Sequence, residues 1–156
     1  MIYKIQDGTM NFAEGRVRCD ADSDAVGVSG FLSMPVPRSD AENQIYFDII
    51  SGGNAYLDIA EVLPITNPRS WVYRDGSPAT YLPWSPDEPN HPQTEHNVEI
   101  GWEGKITWNN SPSSRLKLIV CTYALPAGAE NTCPWLSDFE DSNALRESGK
   151  IQVKVN

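Results

Sequence analysis

Residues 84–100 read Trp-Ser-Pro-Asp-Glu-Pro-Asn-His-Pro-Gln-Thr-Glu-His-Asn-Val-Glu-Ile. Pro86, Pro89 and Pro92 exclude helix and central strand, because each lacks a backbone donor and has a fixed φ. They belong to a longer stretch, since seven of the chain's twelve prolines lie between Pro64 and Pro92. An ordered segment of that length without regular structure is ordinarily functional. It carries the oxygen-bearing side chains Glu88, Asn90 and Glu95 and, upstream, the aromatic residues Tyr81 and Trp84. From Val98 to Trp102 the alternation of a strand returns.

Outward from this loop, Lys105–Trp108 and Leu116–Tyr123 read as further strands, the second being the most β-prone stretch of the chain. On the other side, Trp71–Ser77 is a strand entering an Asp75-Gly76 turn, and Ala55–Ala60 is another strand. The first third is different. A short strand over residues 2–6 leads to a helix through Phe12, Ala13, Val17 and Cys19, capped by Thr9 or Asn11. The apolar, glycine-punctuated stretch Gly27–Val36 follows. Ser39-Asp-Ala-Glu42 is a capping box, and the helix it opens buries Ile45, Tyr46, Ile49 and Ile50 before Gly52-Gly53 ends it. Two helices followed by short strands make an α+β fold class.

After Tyr123 the composition changes. Ala124-Leu-Pro-Ala-Gly-Ala129 is linker-like, residues 130–143 are acidic, and Ile151–Val155 alternates as a terminal strand. That tail either adds an edge to the sheet or leads into another structure. No internal repeat occurs.

The 156 residues suit one domain with additional material, and 40% apolar with 21% charged residues is a globular composition. The net charge of −9 and the absence of any Lys/Arg concentration argue against a nucleic-acid partner. No apolar run is long enough for membrane insertion. The opening Met-Ile-Tyr-Lys-Ile-Gln-Asp lacks a signal-peptide core and reads directly as strand. Cys19, Cys121 and Cys133 form no metal-binding spacing. A Cys19–Cys121 bridge would imply an oxidising compartment, whereas three reduced thiols would suit the cytosol.

Taken together, the residues resemble the C-type lectin domain family. The elements are Phe12-Ala13, Cys19, Leu32, Ser39, Glu42, Ala55–Ile59, Trp71, Asp75-Gly76, Trp84, Glu88-Pro-Asn90, Glu95, Val98, Trp108-Asn109 and Cys121. They follow the family's order and spacing over residues 2–124. The opening also resembles small galactose-binding lectins of tunicates, which are dimers. The resemblance implies a C-type lectin-like double-loop fold over residues 1–124, with two helices flanking antiparallel sheets and a long ligand loop. Residues 125–156 form an acidic C-terminal extension with a terminal strand. The resemblance also implies a disulfide between Cys19 and Cys121, and hence a secreted, extracellular protein. The family's second disulfide would join the positions of Asn97 and Ser113, so its absence implies a less rigid loop. Cys133 is then free or links two chains of a homodimer.

The same resemblance implies calcium as cofactor, held by Glu88, Asn90, Glu95, Asn109 and Asn110, with Pro89 in the cis form. The family has aspartate at the position of Asn110. Asparagine keeps an oxygen but removes a charge, which implies weak affinity, in the range of about 10⁻⁴ to 10⁻³ M. The carbohydrate partner would be of the mannose, glucose or fucose type by the Glu-Pro-Asn motif, with galactose-type glycans as the competing class. Two vicinal hydroxyls would meet the calcium, Glu88 and Glu95 accepting from them and Asn90 and Asn109 donating. Tyr81 and His91 are further sugar contacts; Trp84 reads as core. The sequon Asn109-Asn110-Ser111 is followed by Pro112, which disfavours glycosylation. A calcium-independent module that binds protein or builds an extracellular assembly fits the acidic tail and Cys133 equally well. No catalytic arrangement assembles from His91 and His96, so an enzyme is not expected.

Overall fold

The central strand takes its place from side-chain parity. Along β2 (Ala55–Glu61) successive residues face opposite sides, and both sides are buried. Ala55, Leu57 and Ile59 join one cluster, which receives Tyr46 and Ile49 from α2 (Asp40–Ile49) and Ile50 from its C-cap. Tyr56 joins the opposite cluster, formed with Phe12 and Cys19 of α1 (Phe12–Ala25) and with Met34. The helices therefore cover opposite faces of the sheet. The computed structural model describes residues 2–25, 33–123 and 151–153.

The remaining strands are β1 (Ile2–Met10), β3 (Trp71–Tyr73), β4 (Asn97–Ile100), β5 (Trp108–Ser111), β6 (Lys117–Tyr123) and β7 (Ile151–Val153). Their order is β5-β4-β2-β6-β1-β7, with β3 paired to β2. All pairings are antiparallel except β2 with β6, which meet in parallel at Ala55 and Leu118. Two helices and this mixed sheet make the α+β, C-type lectin-like architecture that the sequence implies.

Several boundaries differ from expectation. β1 continues past Gln6 because an irregularity between Ile5 and Thr9, around left-handed Gly8 (φ 77°), lets pairing with β6 resume. Lys105–Thr107 is not strand. A single 3-10 turn over Trp102–Gly104, with Glu103 at φ 54°, reverses the chain, and the strand starts at Trp108. Of the two candidate caps, Asn11 closes α1: its Oδ1 accepts from the Glu14 N–H at 2.9 Å, and Glu14 accepts from the Asn11 N–H at 3.0 Å. At α2, Ser39 Oγ accepts from the Glu42 N–H, and Glu42 accepts from the Arg38 N–H. The terminal strand is an edge addition, residues 151–153 pairing with Ile2–Lys4 of β1. Most of Gly27–Val36, the linker, the acidic stretch and Cys133 lie outside the described residues.

Two covalent-scale constraints hold the halves together. Cys19 and Cys121 form a disulfide across 102 residues, both fully buried between α1 and β6. Gly101, at φ 87°, lies against the carbonyl of Gly53, where a Cβ would come within 1.9 Å of the oxygen. Backbone meets backbone there, so no side-chain movement relieves the clash.

Reduction of the disulfide, or the Cys19→Ala/Cys121→Ala pair, is expected to lower unfolding stability by roughly 4–5 kcal/mol in the loop-entropy account. Denaturant titration with and without reductant measures this; coincident midpoints would contradict it. Gly101→Ala is expected to cost at least about 3 kcal/mol, combining the clash with the unfavourable φ. Thermal unfolding indistinguishable from wild type would show that the Gly53–Gly101 contact is slack.

Candidate functional site

The proline-rich loop leaves β3 and returns as β4, and β5 lies beneath it. Trp108, fully buried, is its first anchor. Its backbone N–H donates to the Pro83 carbonyl, and its carbonyl accepts from the Ser85 N–H, both at 2.8 Å. The indole N–H reaches Asn43 Oδ1 of α2 at 2.8 Å. The Trp84 and Tyr81 rings stand edge-on to the Trp108 ring, and Trp84 also packs on Trp71. Trp84 is therefore a core-edge residue. Tyr81, the aromatic candidate for sugar contact, is half-buried, and its hydroxyl donates to Asp40 of α2 at 2.8 Å.

Beyond Ser85 the segment carrying the oxygen side chains doubles back on itself. The Glu88–Pro89 bond is cis, as the resemblance implies. The Glu88 and Asn90 side chains meet across it, Asn90 Nδ2 donating to Glu88 Oε1 at 2.7 Å. Asp87 and His91 sit at φ 66° and 41°, and the N–H groups of Thr94 and Glu95 both donate to the His91 carbonyl. This turn brings Glu95 close to His91, whose ring nitrogen lies 3.5 Å from Glu95 Oε2 and contacts Asn90 Oδ1. Glu88, Asn90, His91 and Glu95 are thus brought together.

Burial raises the pKa of Glu88, against the Asn90 backbone N–H that lowers it, and the charge of Glu95 raises it further. Both effects make a second negative charge at this place costly without a cation. Among the described residues, Lys and Arg ion pairs involve neither Glu88 nor Glu95.

The two asparagines of β5 part company because neighbouring residues on a strand face opposite sides. Asn110, fully buried, points to the loop like Trp108. Its Oδ1 accepts from the Asn90 N–H at 2.9 Å, while its Nδ2 donates to the carbonyls of Asn90 (2.6 Å) and Glu95 (2.9 Å). Asn109 turns to the other face and donates to Glu99 Oε1 at 2.6 Å. Glu99, fully buried, also pairs with Lys117 of β6. Burial lowers the pKa of Lys117, and the Glu99 charge opposes that shift. Asn109 is thus held by Glu99 in a buried charge network.

Sequence reasoning missed the opposite wall. Arg69 forms a fork with Glu61 of β2 and stacks on Trp71 at 5.1 Å. Its remaining donors reach the Asn90 and Glu95 carbonyls at 2.7 and 2.8 Å. His96 Nδ1 lies 2.8 Å from Glu61 Oε2. Burial disfavours ionised Glu61, but the Arg69 and His96 hydrogen bonds outweigh it and leave the carboxyl below its ordinary range. The only local signal was a glutamate at the end of a buried strand, eight residues before an arginine.

The donor set suits a hard cation. Among the described residues no three His, Cys, Asp or Glu side chains converge as a metal site, so amide oxygens have to complete any set built on Glu88 and Glu95. Calcium accepts such oxygens readily, whereas zinc prefers nitrogen and sulfur.

No protein-family model matches the chain. Over 113 residues it is 28% identical to pulmonary surfactant-associated protein D of Bos taurus, covering 70% of this chain and 29% of that protein. Over 87 residues it is 36% identical to a mannose-binding protein of Gallus gallus, covering 54% of this chain and 32% of that protein. The chain thus spans less than a third of either relative. Among solved structures, a C-type lectin from the tunicate Polyandrocarpa misakiensis superposes with a TM-score of 0.62 at 18% identity, covering 81% of this chain and all of that one. An EPNH mutant of CEL-I gives 0.63 at 17% identity, over 78% of this chain and 89% of the other; residues 88–91 here read Glu-Pro-Asn-His. A calcium-independent type II antifreeze protein gives 0.63 at 15% identity, over 79% and 86%. In sequence the chain resembles the C-type lectin domains, and its fold is the C-type lectin-like fold.

Proposed function

We propose that this chain is a non-enzymatic carbohydrate-binding lectin whose site is the segment Glu88–Glu95, with calcium as its cofactor. The observation that carries the reading is the convergence of Glu88 and Glu95 around His91, Glu88 being desolvated, with no Lys or Arg among the described residues ion-paired to either. Glu88, Asn90 and Glu95 are the side chains that hold the cation, with water filling the remaining positions; Asn109 stays on Glu99 and Asn110 on the loop backbone. Calcium, when bound, supplies coordination positions that two vicinal sugar hydroxyls fill. Glu88 and Glu95 accept hydrogen bonds from those hydroxyls, and Asn90 Nδ2 donates to one of them. His91, exposed beside them, lines the rim. The Glu-Pro-Asn order favours the mannose, glucose and fucose group over galactose. The name of the chicken relative, a mannose-binding protein, supports that choice.

The disulfide, which persists in oxidising compartments, supports a secreted protein. In the described residues no helix is long and apolar enough to cross a membrane. A homodimer would give weak sites useful avidity. The β1 edge at Ile2–Lys4 is covered by β7, so β7, now the outer strand, and Cys133 are the candidate links.

One observation favours a calcium-independent binding module instead: the Asn110 carboxamide is fully engaged with loop backbone. Affinity chromatography separates the two. The lectin reading predicts retention on mannose resin in about 10 mM calcium, well above the weak extracellular range. Elution by EDTA and loss of retention in Glu88→Gln are expected, with weaker retention on galactose resin. Passage through both resins, or retention indifferent to EDTA and to Glu88→Gln, would sink it.

A further inference from the structure

The carbonyls of Asn90 and Glu95 form the neck of the candidate site, and each receives two donors. One is the Arg69 guanidinium, with Nη1 on Asn90 and Nη2 on Glu95. The other is Asn110 Nδ2, which reaches both. Each carbonyl oxygen has two lone pairs, so the neck is satisfied in full by side chains of this chain. The donors are themselves fixed. Arg69 is forked onto Glu61 and lies on Trp71, while Asn110 is fully buried on β5 and also accepts the Asn90 N–H.

We infer that Arg69 and Asn110 are positioning residues that keep the Asn90–Glu95 turn closed with no cation bound, and that asparagine rather than aspartate at position 110 is what makes this possible. A carboxylate at 110 has acceptors only. It would lose both donations, face two carbonyl oxygens at 2.6 and 2.9 Å, and place a third negative charge beside Glu88 and Glu95. A cation would relieve that arrangement; without one, the neck would open. Asn110 therefore exchanges calcium affinity for a turn that stays folded without calcium. The missing second disulfide, which implies a looser loop, is offset at the neck. The inference deepens the lectin reading but does not need sugar binding to be true.

Hydrogen exchange of the full chain, followed by mass spectrometry in EDTA and in about 10 mM calcium, tests it on peptides spanning residues 88–96. In wild type, protection should be the same in both conditions. Asn110→Asp should exchange at least about tenfold faster in EDTA, as losing two hydrogen bonds allows, and calcium should restore protection. Peptides from β2 and β6 should be unchanged, which a general loss of stability would not leave so. Arg69→Gln should also open the turn in EDTA; if leaving Glu61 without its partner unfolds that variant, Asn110→Asp decides alone. Unprotected wild-type peptides in EDTA, or Asn110→Asp matching wild type there, would overturn the inference. Sugar retention on the same preparations is scored separately. Protection in EDTA without retention would leave this inference standing and remove the lectin reading, and the reverse pattern would do the opposite.

Discussion

The site depends on one constraint: a proline-broken loop has backbone groups that no sheet can satisfy, so buried side chains have to do it. Strand β5 supplies the main solution by placing Trp108 and Asn110 on one face, two residues apart. Trp108 binds the loop's first half at Pro83 and Ser85, and Asn110 binds its second half at Asn90 and Glu95. Glu88 and Pro89 lie between these anchors. The oxygen-bearing side chains therefore project from a segment pinned on both sides, the pre-organised setting that a weak, solvent-facing ligand site requires.

The rest of the architecture serves that strand. Among the described strands β5 is the sheet edge and pairs with β4, whose far side meets β2, while its outer side takes up the loop through the Trp84–Trp108 bridge. The Asn43–Trp108 hydrogen bond ties the edge to α2. On the opposite face the buried Glu99–Lys117 pair, with Asn109 donating to Glu99, links β4, β5 and β6. Removing one member of such a buried pair strands the other's charge, so a change there acts on the edge strand as a whole. The disulfide ties α1 to β6 in the interior of the sheet.

Much of this was legible in the sequence. Parity in Ala55–Ile59 and the capping residues Asn11 and Ser39 are local signals, and the structure follows them. The prolines announced the loop. The resemblance supplied the Cys19–Cys121 pairing, which composition alone left open. The partners of the site were not legible, because they are set by contacts between distant residues. Nothing near Arg69 shows that it reaches Asn90 and Glu95, and nothing near Asn109 shows that Glu99 holds it on the other face. Reading Asn110 as a ligand lacking a charge overlooked its amide N–H donors, which an aspartate does not have. Lys105–Thr107 looked like strand by composition, but the turn at Gly101–Gly104 sets the start three residues later than that alternation suggests.

Under the proposed function a sugar and calcium both bind the segment Glu88–Glu95. Thermal unfolding measured in EDTA, then in about 10 mM calcium, then with about 100 mM mannose or galactose added, tests it most directly, because a ligand of the folded state alone raises stability by RT ln(1 + [L]/Kd). A rise with calcium, a further rise with mannose that exceeds the rise with galactose, and no sugar effect in EDTA are expected. An unfolding temperature unmoved by calcium and by either sugar would contradict it.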